Sequence, residues 1–163
     1  MRRPPPTAAL RIDLCKAQDA EIVHRLTQAA FGGLAALDPP SGADRETVAA
    51  VRRDLETHGG ALARAGARPV GCLRFAAEHG HLHVRRVAVL PELQGKGIGR
   101  ELMRWAENHA AAKGLPEVTV GVRLALPANL AFYKRLGYEV VAEHAHVGYD
   151  RPTWVSLRKS VPR

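Results

Sequence analysis

The chain has 163 residues, 46% of them apolar and 25% charged, a composition that excludes wholesale disorder and a length that buries about 70% of the unfolded surface without disulfide staples. With 24 basic against 16 acidic residues, the net charge of +8 favours anionic partners, either nucleic acid or a phosphate-rich cofactor. The arginines are spread along the whole chain and the eight aromatic residues do not interleave with them, which argues against sequence-specific recognition of nucleic acid.

The apolar runs are too short for a membrane helix, and Met1-Arg2-Arg3-Pro4-Pro5-Pro6 lacks the apolar stretch of a secretory signal, so the expected location is the cytoplasm. Cys15 and Cys72 cannot build a disulfide framework or a zinc site, and both read as small buried hydrophobes. Three consecutive prolines make residues 1–8 a disordered basic tail, leaving one domain over 9–160.

In chain order, Leu10–Leu14 alternates as a short strand does. Ile22, Val23, Leu26, Ala29 and Ala30 mark one face of a helix over Ala17–Phe31, stopped by Gly32-Gly33. After the turn-rich run Asp38–Gly42, Val48, Val51 and Leu55 mark a second helix over Asp44–Thr57. Ala61–Ala65, Pro69–Glu78 and His81–Val89 read as a strand meander broken by Gly66 and by His79-Gly80, and Pro91 ends it. A helix over Ile98–Lys113 stops at Lys113-Gly114 with Pro116 beyond. A strand over Glu117–Val122, a short helix from Pro127 to Leu136 and strands over Tyr138–His146 and Thr153–Arg158 complete the chain. The order β-α-α-β-β-β-α-β-α-β-β predicts an α/β (α+β) fold with a mixed, mostly antiparallel sheet and one parallel crossover.

The chemistry concentrates in two segments. In Val87-Ala88-Val89-Leu90-Pro91-Glu92-Leu93-Gln94-Gly95-Lys96-Gly97-Ile98-Gly99-Arg100, a strand stops at proline, crosses a loop with three alternating glycines and enters an amphipathic helix. Such a loop turns successive N–H groups toward one point at a helix N-terminus, where Lys96, Arg100 and Arg104 add cations, so it reads as an anion cradle. It lacks the Gly-Lys-Ser/Thr end of a Walker loop and the spacing of a dinucleotide fingerprint. The second segment, Asn129-Leu130-Ala131-Phe132-Tyr133-Lys134-Arg135-Leu136-Gly137-Tyr138, puts Asn129 and Tyr133 on one helix face. His79, His81 and His83 alternate along one strand, but no carboxylate joins them and no metal site is expected.

Together, in this order, the two segments resemble the GNAT superfamily of acetyl-CoA-dependent N-acetyltransferases. Gln94–Gly99 is similar to its pyrophosphate loop, and Tyr133-Lys134-Arg135-Leu136-Gly137-Tyr138 to its tyrosine-x-x-leucine-glycine-aromatic signature. One departure is that many members carry asparagine seven residues before the tyrosine, where this chain has Leu126, with Asn129 only four before it. The resemblance implies that acetyl-CoA, as co-substrate, is held by Val87, Ala88 and Val89 through their main chain. Gln94, Gly95, Lys96, Gly97, Ile98, Gly99 and Arg100 would hold its pyrophosphate, with Asn129 a further contact. It implies direct attack by a primary amine in a ternary complex, with Tyr133 as proton donor to sulfur. His83, six residues before Val89 and expected on the same strand face, would be the base, with Glu117 as its rival; a non-catalytic acyl-CoA-binding module is the alternative. The acceptor, a small molecule or a peptide amine, would enter between the Gly32–Asp44 loop and the turn at Gly148-Tyr149-Asp150, where Asp38, Asp44 and Asp150 are placed to attract an ammonium. Domains of this kind commonly pair, so a homodimer is among the expected states.

Overall fold

The computed structural model describes residues 9–32 and 37–162; the expected tail over 1–8 and Gly33 of the Gly-Gly stop lie outside them. The elements are β1 (Leu10–Leu14), α1 (Ala20–Phe31), α2 (Val48–Thr57), β2 (Gly60–Ala65), β3 (Arg68–Glu78), β4 (His81–Val89), α3 (Ile98–Ala112), β5 (Glu117–Arg123), α4 (Pro127–Arg135), β6 (Glu139–His144) and β7 (Trp154–Ser160). The seven strands form one sheet in the order β1-β2-β3-β4-β5-β7-β6, antiparallel throughout except where β4 meets β5. Helix α3 is the crossover that this parallel pair requires.

Each face of the sheet is covered by a pair of helices. Val23 and Leu26 of α1 and Val51 and Leu55 of α2 pack on Leu62, Cys72 and Ala88. On the other face Leu102, Met103 and Ala106 of α3 pack on Leu73, Val84, Val118 and Leu157, and Leu130, Phe132, Tyr133 and Leu136 of the α4 region close the same cluster. Tyr138 is buried there too, its hydroxyl donating to Glu107 Oε2 at 2.9 Å.

The second helix starts with the first residue of its apolar stripe, Val48, and not at the expected Asp44. Thr47 accepts from the Ala50 N–H at 3.1 Å and so caps α2 at Val48, while Gly42–Arg45 forms a separate 3-10 turn.

A buried charge network joins α2 to the sheet. The Arg74 side chain is 1% exposed and donates to both carboxylate oxygens of Glu46, at 2.6 and 2.7 Å, and to Asp54 Oδ2 at 3.1 Å. Arg85 pairs with Asp54 and Arg86 with Glu46. A buried guanidinium is tolerable only because these carboxylates stand against it.

Candidate active site

β4 and β5 pair over Leu82↔Val118, His83↔Thr119 and Val84↔Val120 and then diverge, leaving the main chain of Val87–Val89 with no partner from β5. On its other edge β4 carries a bulge. Cys72 opposes Ala88 but Arg74 opposes Arg85, so Arg86 and Val87 together face Leu73. Arg86 takes a positive φ of 54°, a conformation that its ion pair with Glu46 at 3.2 Å helps to hold.

This bulge corrects one expectation. The extra residue shifts the side-chain alternation, so Leu82 and Val84 before it and Val87 and Val89 after it all face α3, while Ala88 faces α1. His83 points to the α1 side, with Nδ1 2.9 Å from Thr119 Oγ1. His83 and Val89 therefore lie on opposite faces of β4, not on the same one.

Two clefts, each of about 420 Å³, open at the divergence. The first lies on the α3 side, where Val87 and Val89 form its floor. Gln94, Gly95, Gly97, Ile98, Gly99 and Arg100 form its end wall. Gly95 and Gly97 hold φ of 78° and 89°, and a Cβ on either would meet nothing within 4 Å, so backbone conformation and not crowding calls for glycine there. Gly97 caps α3, and the first helical bond runs from the Glu101 N–H to its carbonyl at 3.1 Å. The N–H groups of Ile98, Gly99 and Arg100 consequently lack helical acceptors and carry the positive end of the helix dipole. A cradle of free N–H groups beside Arg100 suits a phosphate. Gln94 donates to the Val89 carbonyl at 3.2 Å, tying the loop to the strand end. Two residues expected at a cofactor fall outside the lining: Lys96 is exposed, and the Ala88 side chain is buried on the other face.

The second cleft lies between the diverging strands and the segment Pro39–Gly42, with His83, Arg85, Arg86, Arg123, His146 and Trp154 among its lining. The two clefts share a wall formed by Phe31, Val87, Leu126, Asn129 and Tyr133. Asn129 and Leu126 thus both reach the junction, and Asn129 is exposed there. The Tyr133 ring is wedged edge-on between Phe132 at 5.0 Å and Tyr138 at 5.8 Å. Its hydroxyl has no hydrogen-bond partner among the described residues, and burial pushes the phenol well above its ordinary range, so it stays protonated. Burial pushes His83 the other way, below the usual histidine range, and favours its neutral form.

Other expected participants stand apart. Glu117 pairs with Ser160 at the far end of β5 and lines neither cleft. Asp38, Asp44 and Asp150 line neither cleft either, and Asp38 accepts from the Tyr149 hydroxyl. Both cysteines are buried thiols, Cys15 pushed up to about 12 and Cys72 to about 11 by desolvation. Among the described residues no three His, Cys, Asp or Glu side chains converge as metal ligands, and no helix is long and apolar enough to cross a membrane. Sequence reasoning missed Arg85, Arg86 and Arg123; the available signal for the first two was the adjacent pair Arg85-Arg86 directly before the apolar run Val87–Val89.

The comparisons with known proteins point the same way. The sequence model of the Acetyltransferase (GNAT) family matches residues 23–138. An N-acetyltransferase of Chlorobaculum tepidum is 38% identical over 73 residues, covering 44% of each chain. The L-methionine sulfoximine/L-methionine sulfone acetyltransferase of Pseudomonas paraeruginosa is 28% identical over 90 residues, 55% of this chain and 49% of that one. The chain thus spans about half the length of the curated relatives it matches. Among solved structures, the PaiA N-acetyltransferase of Thermoplasma acidophilum in complex with coenzyme A superposes with a TM-score of 0.76 at 16% identity, over 93% of this chain and 99% of that one. A Salmonella typhimurium protein solved with its cofactor acetyl-CoA gives 0.69 at 21% identity, over 94% and 95%. With the family match spanning most of the sequence and the fold agreeing along nearly its whole length, the chain belongs to the GNAT acetyltransferase family.

Proposed function

We propose that the protein transfers the acetyl group of acetyl-CoA to a primary amine, with acetyl-CoA in the α3-side cleft and the amine in the cleft between the diverging strands. The observation that carries this reading is the shared wall: Tyr133, Asn129 and Val87 line both clefts, so two ligands can meet only there. The N-terminus of α3 with Gly95, Gly97 and Arg100 fits a pyrophosphate, and the edge of Val87–Val89 that β5 leaves without a strand partner fits the amides of a pantetheine arm. Bound there, acetyl-CoA supplies a thioester whose acyl carbon forms a C–N bond with the amine as its C–S bond breaks.

The chain's own groups move the protons. His83, neutral through burial, takes one from the amine nitrogen, and Tyr133 gives one to the departing sulfur. An acceptor that arrives as an ammonium first gives one proton to solvent; with the neutral amine attacking, the proton passed to His83 and the one given by Tyr133 leave a neutral amide and free thiol. A main-chain N–H near Val89 would stabilise charge developing on the carbonyl oxygen. No cysteine nucleophile is needed, because holding amine and thioester at one junction supplies most of the acceleration.

The test is release of free thiol from acetyl-CoA across a panel of primary amines. Release with one or more amines is expected. Tight binding of CoA without release for any amine would make the protein an acyl-CoA-binding module instead.

A further inference from the structure

We propose that the acceptor is an amine bearing a carboxylate on a compact apolar body, with the carboxylate held by the arginines of the second cleft. The inference rests on the acetyltransferase reading above and names its substrate class. An amine acceptor arrives largely as an ammonium. A cleft built for an ammonium alone would present carboxylates. This one presents Arg85, Arg86, Arg123, His83 and His146, and not one Asp or Glu is among its lining.

The cations are only partly neutralised from behind. Arg74, Arg85 and Arg86 share only Glu46 and Asp54, three guanidinium groups against two carboxylates. Arg123 donates to the Pro39 carbonyl, a neutral acceptor, and has no ion-pair partner among the described residues. Asp38, beside Pro39 in the chain, accepts from the Tyr149 hydroxyl and does not line the cleft. The cleft therefore carries surplus positive charge, which an ammonium would meet as repulsion unless its own molecule brought compensation. The planar fork of arginine matches a carboxylate in two-point contact. Phe31, Leu37 and Trp154 supply apolar wall for the rest of the acceptor. The transfer step itself is unchanged, because the carboxylate neither gains nor loses a bond.

The test compares matched acceptors with the whole chain and acetyl-CoA: L-leucine, L-leucinamide, 3-methylbutylamine, O-phosphoethanolamine and spermidine. L-leucine is expected to exceed the amide and the decarboxylated amine in kcat/KM by about tenfold or more. Arg123→Gln, with CoA affinity and circular dichroism confirming its fold, is expected to shrink that ratio to within about threefold, and Arg123→Lys to restore part of it. Preference for spermidine, for 3-methylbutylamine or for O-phosphoethanolamine overturns the inference while leaving acetyl transfer intact. A second measurement does not depend on turnover: calorimetry of N-acetyl-L-leucine and N-acetyl-L-leucinamide on the protein saturated with CoA. The acid is expected to bind at least about tenfold tighter. Equal binding overturns the inference, whereas tight binding of the acid with no thiol release from any amine overturns the acetyltransferase reading alone.

Discussion

His83 Nδ1 stands 2.9 Å from Thr119 Oγ1 across one of the last rungs that join β4 to β5, at the mouth of the divergence between the two strands. The contact fixes the ring orientation and leaves the other nitrogen for the cleft. Burial is the main cause of its lowered pKa. A base acts when unprotonated, so a lowered value keeps it competent into more acidic solution. The acid limb of kcat/KM is accordingly expected below the ordinary histidine value of about 6.5. His83→Ala should remove that limb and cut turnover by about a hundredfold, at the lower end of what a general base contributes. An unaltered pH profile in that variant would assign proton removal to water or to an amine arriving neutral.

The glycine loop gives a prediction about affinity. Gly97 is held at a φ of 89° with open space around a Cβ, so the cost of substituting it lies in the backbone. Gly97→Val should weaken acetyl-CoA binding by at least about tenfold, by forcing the N–H groups of the cradle out of line. Gly97→Asn, a residue that visits the left-handed region more readily, should lose less. Calorimetry of the two folded variants checks the order, and equal affinity in Gly97→Val would remove the pyrophosphate from this loop.

Helix stripes, strand alternation and turn residues were legible in the sequence because each is a local consequence of what must face the core. The two motif segments were legible for the same reason: strand, glycine loop and helix start are contiguous. What escaped depends on contacts between distant residues. The bulge at Arg86-Val87 is held by Glu46, forty residues away, and nothing local announces that the face parity of β4 changes there. Placing β7 between β5 and β6 is likewise a matter of pairing, not of pattern. Arg74 sits between Leu73 and Phe75 in an apolar strand, and its burial makes sense only once Glu46 and Asp54 are brought to it.

That network predicts a large effect on stability. Arg74→Met keeps much of the volume but leaves the Glu46 and Asp54 carboxylates in a part-buried site with less compensation. A loss of about 3–5 kcal/mol in urea unfolding is expected, the usual consequence of removing one side of a buried pair. Burial opposes ionisation of Glu46, yet the hydrogen bonds and charges of Arg74, with Arg86 and Arg85, hold its carboxyl below the usual range. A carboxyl so depressed stabilises the fold above its unfolded pKa, about 4.3, and this contribution is lost as pH falls through the lower folded value. The parent should therefore lose stability on acidification in that window, and Arg74→Met should lose less of it. A variant as stable as the parent at neutral pH would show that the network is replaceable by packing.

Tyr133 offers the sharpest separation of chemistry from packing. Its ring is fixed edge-on by Phe132 and Tyr138, so Tyr133→Phe keeps every apolar contact and removes one oxygen. That oxygen has no hydrogen-bond partner among the described residues to strand when it is lost, and thermal unfolding should change little. Burial keeps the phenol protonated across the working range, as a donor to sulfur requires. Losing a positioned general acid costs about 10²–10⁴ in rate, and the lower half is expected because a thiolate is already a tolerable leaving group. The loss should fall on kcat and leave acetyl-CoA affinity unchanged, since the proton is needed in the transition state and not in the ground-state complex. Acetyl thioesters with a more basic, poorer leaving thiol should suffer more, which ties the effect to the sulfur and not to amine binding. Turnover within about threefold of the parent would make this tyrosine a packing residue, with protonation of sulfur left to solvent.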